Sequence, residues 1–284
     1  MIISVASGKG GTGKTTVATN LACSLDTEVQ ILDCDVEEPN AHLFLDPEIN
    51  SISTVNTAIP LIDETKCTYC RKCVEICRFN ALTIVGETIL TFSAMCHSCG
   101  GCMLVCPENA ITESKREIGI IEHGQRGPLD FVHGRLRIGE AMSPPLIKQV
   151  RSFSNPAMTS IIDAPPGTSC PVIAAMKGVD FVLMVTEPTP FGLHDLRLAV
   201  EAVRTLGIPH GLVINRSDVG DDCVREYAAQ QNLPILMEIP FKRSIAEAYS
   251  NGKLLVEVMP EWRDKFKMLF HKIENSLERG DDLS

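Results

Sequence analysis

The sequence has no surplus of positive charge, no long apolar run and, outside one short stretch, very little cysteine. Lys plus Arg is 26 against 36 for Asp plus Glu, a formal net charge of −10 over 284 residues. That balance argues against bulk attraction to nucleic acid or to an anionic membrane. No apolar run approaches the roughly 18 residues that a membrane span needs. The opening MIISVASGKGG has neither a basic n-region nor a cleavage site, so no secretory signal is expected. Of twelve cysteines, only Cys23, Cys34, Cys170 and Cys223 lie outside the stretch from Cys67 to Cys106. A secreted disulfide scaffold is short and spreads its cysteines through the chain. A dense cassette in an otherwise cysteine-poor chain favours metal over disulfides and a reducing, cytoplasmic setting.

What is present is a globular composition, 44% hydrophobic and 22% charged, in a length that suits one large or two modest domains. Short apolar runs at 2–6, 29–33, 159–163, 180–186, 210–215 and 235–239 read as strands. Helical periodicity falls at 15–25 and at about 171–178, 192–206, 221–231 and 244–250. This alternation predicts an α/β fold, a mostly parallel sheet with helices on both faces. Residues 60–116 break the rhythm and carry six acids and six bases, so the acidic surplus belongs to the rest. They are expected to be a domain inserted in a loop, with 1–59 and 117–284 forming the α/β domain. Segments 118–122 and 130–138 read as a hairpin returning the chain to the sheet.

Gly8-Lys9-Gly10-Gly11-Thr12-Gly13-Lys14-Thr15 fits G-x-x-x-x-G-K-[ST], the phosphate-binding P-loop. Its glycines let backbone N–H groups wrap phosphate oxygens, and the following helix presents its positive end to the same anion. Lys14 is expected on the β- and γ-phosphates, with Thr16 beside them, and Thr15, Asp33 and Asp163 are expected around Mg²⁺. Gly8, Gly10 and Gly13 also satisfy G-x-G-x-x-G, with Asp33 twenty residues past Gly13. A dinucleotide turn has no role for Lys14-Thr15, however, nor for a second acidic strand end at Asp163.

With Lys9, the run S-G-K-G-G-T-G-K-T-T resembles the deviant Walker A motif of the MinD/ParA class of ATPases. The resemblance implies ATP/ADP and Mg²⁺ as ligands. It also implies a homodimer that sandwiches ATP, with Lys9 reaching the partner's nucleotide. By the same resemblance, Asp33-Cys34-Asp35-Val36-Glu37-Glu38-Pro39-Asn40 looks like switch I, with Asp35 orienting or activating the attacking water. Asp163-Ala164-Pro165-Pro166-Gly167 looks like switch II, with the Gly167 amide sensing the γ-phosphate. Asn215-Arg216 is similar to the pair whose Asn reads adenine, and Pro240 lies where the family's last nucleotide loop packs on the base.

Cys67-x2-Cys70-x2-Cys73-x3-Cys77 is followed by Cys96-x2-Cys99-x2-Cys102-x3-Cys106-Pro107. Each is the bacterial ferredoxin run for a [4Fe–4S] cluster, in which the fourth cysteine reaches the other cluster. Cys67, Cys70, Cys73 and Cys106 are therefore expected on one cluster, and Cys96, Cys99, Cys102 and Cys77 on the other. Zinc ribbons space their cysteine pairs differently. Arg78 follows Cys77 where proline normally closes the turn, which should alter the cluster's environment more than its occupancy. The whole chain resembles MinD-superfamily ATPases that carry an inserted ferredoxin domain.

Cys170, in G-T-S-C-P, lies at the offset where the nitrogenase iron protein has a cluster ligand, but 117–150 offers no second cysteine. It reads either as a helix-terminal thiol or as a reactive one. Cys23, Cys34 and Cys223 read as packing residues. His97 reads as a residue that tunes the second cluster. Trp262, Phe266, Leu269, Phe270, Ile273 and Leu277 form one helical stripe, expected to dock on the sheet rather than on a membrane. Three functions remain open. The first is an ATP-gated electron-transfer protein with a redox partner. The second is a scaffold or carrier ATPase for iron–sulfur or heterometal cofactor assembly. The third is a MinD/ParA-type spatial organiser.

Overall fold

The computed structural model describes residues 1–281. The chain forms two compact units, the first made of Met1–Ile52, Ile121–Arg135 and residues from Ile147 on, the second of Ser53–Ile120 and Leu136–Leu146. The first unit opens with β1 (Ile2–Ala6), α1 (Lys14–Ser24), β2 (Val29–Asp33) and α2 (His42–Leu45). The chain then leaves along β3 (Glu48–Ile62). The second unit holds α3 (Lys72–Ile76), β4 (Leu82–Val85), β5 (Thr88–Thr91) and α4 (Gly101–Leu104). The chain returns along β6 (Ile111–Arg126), then forms β7 (Leu129–Leu136), α5 (Pro144–Arg151), β8 (Thr159–Asp163) and α6 (Cys170–Met176). It continues through β9 (Phe181–Thr186), α7 (Pro190–Thr205), β10 (His210–Asn215), α8 (Cys223–Gln230) and β11 (Ile235–Ile239). It closes with α9 (Arg243–Ser250), α10 (Leu255–Val258) and α11 (Glu261–Asp281).

The strand order is β11-β10-β9-β1-β8-β2-β7-β6-β3. From β11 to β7 every pairing is parallel. Helices cover both faces of such a sheet, so its strands are buried on both sides and read as unbroken apolar runs. β2 and β9 are buried at every position and β8 at all but its first. Asp33 at the end of β2 is the register partner of Asp163 at the end of β8, and β8 in turn pairs β1. Three carboxyl ends therefore meet in one crevice, where ligands of open α/β sheets bind.

The expected hairpin appears as β6 and β7, neighbours in the sheet joined by Gly127-Pro128, with Gly127 at φ 56°. β3 escaped the sequence reading, because polar residues interrupt its apolar ones and only Val55 and Pro60 are buried. The boundaries between the units fall inside β3 and β6 rather than in loops near 60 and 116, and residues 136–146 join the second unit. Within that unit, an ion pair between Arg116 and Glu140, both nearly buried, joins 136–146 to the end of the excursion. The antiparallel pair β4–β5 packs its own small core of Cys73, Leu82, Ile89 and Ile111.

The C-terminal stripe is consumed by the core. Trp262, Phe266, Leu269, Phe270 and Ile273 are buried in the same cluster as Val17, Ala18 and Leu21 of α1, and Leu277 packs at its margin. Among the described residues no helix is long and apolar enough to cross a membrane. Truncating Trp262 to alanine is expected to cost about 3–5 kcal/mol in urea unfolding. The same change at exposed Met268, on the same helix, is expected to stay within about 0.5 kcal/mol. Equal losses would show that the stripe is not what holds α11.

Candidate functional site

The P-loop, residues 8–15, joins β1 to α1 at the crevice. Its glycines do different jobs. A Cβ on Gly10 or Gly11 would meet no atom within 4 Å, and both backbones face an open cavity of about 1280 Å³. Gly13 precedes α1 at φ 95°, a left-handed conformation that favours glycine, and a Cβ there would lie 2.5 Å from Asn215 Nδ2. Gly8 is required for packing, since a Cβ would come within 2.3 Å of the Asp195 carbonyl oxygen on α7. Lys14, only 6% exposed, is the first residue of α1 and lines the cavity with Thr15 and Thr16.

The Thr15 hydroxyl donates to Asp163 Oδ2 at 2.5 Å. Asp163 is fully buried, and its Oδ1 has no hydrogen-bond partner. An orphaned buried carboxylate oxygen beside a P-loop hydroxyl is a donor set that fits Mg²⁺ or a Mg²⁺-bound water. Burial raises the Asp163 carboxyl to about 7, against the lowering influence of the Thr15 bond and the Lys14 charge.

Asp33 is bonded within its own loop. Its Oδ1 accepts the Asp35 N–H at 3.0 Å, and its Oδ2 accepts those of Asn40 and Ala41 at 3.1 and 3.0 Å. The carboxylate thus closes the 34–41 loop on itself. Burial and the Asp163 charge push its carboxyl above the usual range. Asp35 lines the cavity and is raised to about 6, by burial first, with Lys14 opposing and Glu38 and Glu37 reinforcing.

Gly167, at φ 99°, donates its N–H to the Ser7 carbonyl at 3.0 Å, while Pro166 lines the cavity. Asn215 Nδ2 donates to the Thr12 carbonyl at 2.9 Å and Asn215 Oδ1 accepts the Arg216 N–H at 3.0 Å. One amide hydrogen and one lone pair of Asn215 remain for a base. Arg216 pairs with Glu187 at 3.0 Å and lies 5.8 Å from the Phe241 ring centroid. Pro240 and Phe241 wall the same end of the cavity, joined by Ile245 and Tyr249 of α9. Phe241 and Tyr249 were missed in the sequence because no local spacing relates them to the P-loop.

In the second unit, two smaller cavities divide the eight cassette cysteines. One, of about 330 Å³, is lined by Cys67, Cys70, Cys73 and Cys106. The other, of about 460 Å³, is lined by Cys77, Cys96, Cys99 and Cys102. Residues 67–81 and 96–110 repeat one backbone. Tyr69 and Ser98 share φ 55°, Arg71 and Gly100 lie at 66° and 72°, and Asn80 and Asn109 at 52° and 49°. These turns aim amide hydrogens at sulfur. Tyr69 N–H donates to Cys67 at 3.4 Å and Ser98 N–H to Cys96 at 3.5 Å, while Ala81 and Ala110 donate to Cys77 and Cys106 at 3.3 Å. The His97 imidazole stacks on Phe79 at 3.5 Å in the wall of the second cavity.

Among the described residues, no three His, Cys, Asp or Glu converge as ligands of a single metal ion. A cubane cluster takes one thiolate per iron, so its four sulfurs stand apart around a larger volume. The two four-cysteine cavities, each also lined by apolar side chains such as Ile84, Ile89 and Ile111 in one and Ile59, Ile76 and Leu82 in the other, and fed by N–H donors, fit that group. Cys170 is exposed at the first residue of α6 and free of any disulfide.

The chain is 47% identical to an uncharacterized ATP-binding protein of Methanocaldococcus jannaschii, over 91% of this chain and 81% of that protein. It is 28% identical to the iron–sulfur cluster carrier protein of Aquifex aeolicus, over 92% of this chain and 63% of that protein. Its fold matches that of the septum site-determining protein MinD of Pyrococcus horikoshii OT3, solved with Mg-ADP. The TM-score is 0.60 at 20% identity, covering 96% of this chain and 95% of the other. Residues 3–256 match the CobQ/CobB/MinD/ParA nucleotide binding domain, and the chain belongs to that P-loop family.

Proposed function

We propose that this MinD/ParA-type ATPase couples a nucleotide-driven dimer switch to electron transfer through two [4Fe–4S] clusters. The sorting of eight cysteines into two four-cysteine cavities, in a chain that also holds a P-loop cavity, carries the reading. Cys67, Cys70, Cys73 and Cys106 would hold one cluster, and Cys77, Cys96, Cys99 and Cys102 the other. Bound there, the clusters supply one-electron chemistry. The N–H groups of Tyr69, Ala81, Ser98 and Ala110 offset negative charge on the thiolates and so make reduction less costly.

In the nucleotide cavity the work falls to charge and position. Lys14 balances the phosphates, and Thr15 with Asp163 would hold Mg²⁺. Asp35 orients the attacking water and accepts its proton, and Asp33 keeps Asp35 in place by tying down the loop around it. The Gly167 amide has two acceptors to choose from, the Ser7 carbonyl and a γ-phosphate oxygen. Exchange between them gives the 164–169 loop two states that follow the nucleotide. Lys9 reaches the nucleotide of a second copy in a homodimer, and the electron acceptor or donor is a separate redox protein.

A second reading, an ATPase that carries clusters to other proteins, draws support from the name of the Aquifex aeolicus relative. Anaerobic purification followed by iron and sulfide counting is expected to give about eight of each per chain. Potentiometric titration with and without Mg-ATP is then expected to give different cluster potentials. Identical potentials and identical rates of partner reduction would exclude gating. Loss of iron to an apo-acceptor on ATP addition would favour the carrier.

A further inference from the structure

Asn215-Arg216-Ser217-Asp218 ends β10 with an amide and, three residues on, a carboxylate. Asp218 does not line the nucleotide cavity. Its Oδ1 instead accepts the Phe241 N–H at 2.5 Å. One residue earlier, the Ser217 N–H donates to the Ile239 carbonyl at 2.9 Å. The 217–218 segment therefore clasps both ends of Ile239-Pro240-Phe241, the stretch that walls the base end of the cavity. Arg225 braces the clasp, donating to the Ser217 carbonyl at 2.7 Å while its guanidinium pairs with Glu238 and Asp222. Arg216 lies over the outer part of the same wall through the Phe241 ring.

We infer that Asp218 is a positioning residue for nucleotide binding: it fixes the Pro240-Phe241 wall against which an adenine base packs, and it does not read the base itself. A backbone amide held by a carboxylate is a charge-assisted bond. Asp218 is exposed, so water competes for that bond and its loss is felt modestly. The inference rests on the reading of this cavity as a nucleotide site.

The test is equilibrium binding of Mg-ATP, Mg-GTP and inorganic tripolyphosphate to the full chain. The wild type is expected to bind ATP more tightly than GTP. Asp218→Ala is expected to weaken ATP binding about three- to tenfold and to leave tripolyphosphate binding and kcat at saturating ATP unchanged. Asp218→Asn keeps the acceptor oxygen and is expected within about twofold of wild type. If Asp218→Ala fails to fold, Phe241→Ala, which keeps the N–H and loses the ring, is expected to weaken ATP and spare tripolyphosphate. The inference is overturned if Asp218→Ala binds ATP normally, weakens tripolyphosphate equally, or is matched by Asp218→Asn. It is also overturned if the wild type prefers GTP and Asp218→Ala loses that preference. Lys14→Met separates the two levels: if it binds tripolyphosphate as the wild type does, the cavity reading itself fails, whatever Asp218 does.

Discussion

Lys14→Met is expected to lower ATP hydrolysis by about 10²–10³-fold, the effect of removing one preorganised charge from a phosphoryl-transfer site. The size follows from where the ammonium sits. Lys14 is nearly buried at the head of α1, in the wall of the cavity, so its field is poorly screened. It is also the cation that pulls the Asp35 and Asp163 carboxyls down against their burial. Removing it deprives the triphosphate of its counter-charge and pushes both carboxyls further toward the protonated form. A protonated Asp35 cannot accept a proton from water, and a protonated Asp163 is a poor partner for Mg²⁺. Methionine keeps the length and apolar stem of lysine, so the fold has little reason to change. Phosphate release at saturating ATP, with thermal unfolding as control, reads the effect. Hydrolysis near the wild-type rate from a folded Lys14→Met protein would remove residues 8–15 from the reaction.

Which parts of this site could be read from sequence depends on the range of the interactions that make it. The parallel strands were legible because burial on both faces leaves runs such as VQILD and FVLMVT. The P-loop was legible because its glycines and Lys14 serve one anion within eight consecutive residues. β3 was not, since most of its residues are exposed and polar ones interrupt its apolar positions. The roles of Asp33, Gly8 and Gly167 were also hidden. Asp33 looks like a metal ligand by position, and position does not show that three amides of its own loop also bond its oxygens. Gly8 reads as part of a phosphate cradle, yet what forbids a side chain there is α7, almost two hundred residues further along the chain. The Gly167 amide meets Ser7 only because β1 and β8 are neighbours in the sheet. In each case the deciding contact is set by topology, which motif spacing does not carry.

The cysteine cassette offers the sharper test, because spacing and cavity geometry make the same counterintuitive pairing. Cys77 lies four residues after Cys73, and a local reading would group it with Cys67, Cys70 and Cys73. Its side chain instead lines the cavity of Cys96, Cys99 and Cys102, while Cys106 crosses to the other. The crossing has a local cause. Asn80 and Asn109, both in the left-handed region, turn the chain after each fourth cysteine, and the Ala81 and Ala110 amides fix its sulfur from behind. Pairs of substitutions separate the two groupings by iron content. Cys77→Ala with Cys96→Ala removes two ligands from one cavity and is expected to leave about four iron atoms per chain. Cys77→Ala with Cys67→Ala removes one ligand from each cavity, weakening both clusters, and is expected to lower iron well below that, toward zero. Local grouping predicts the reverse order for the same two proteins. The second unit has its own core of Cys73, Leu82, Ile89 and Ile111, so ATP binding by the first unit serves as the folding control. Electron paramagnetic resonance of the reduced proteins is expected to show one unperturbed cluster in the first variant. In the second, no cluster should match the wild type, because each has lost a thiolate.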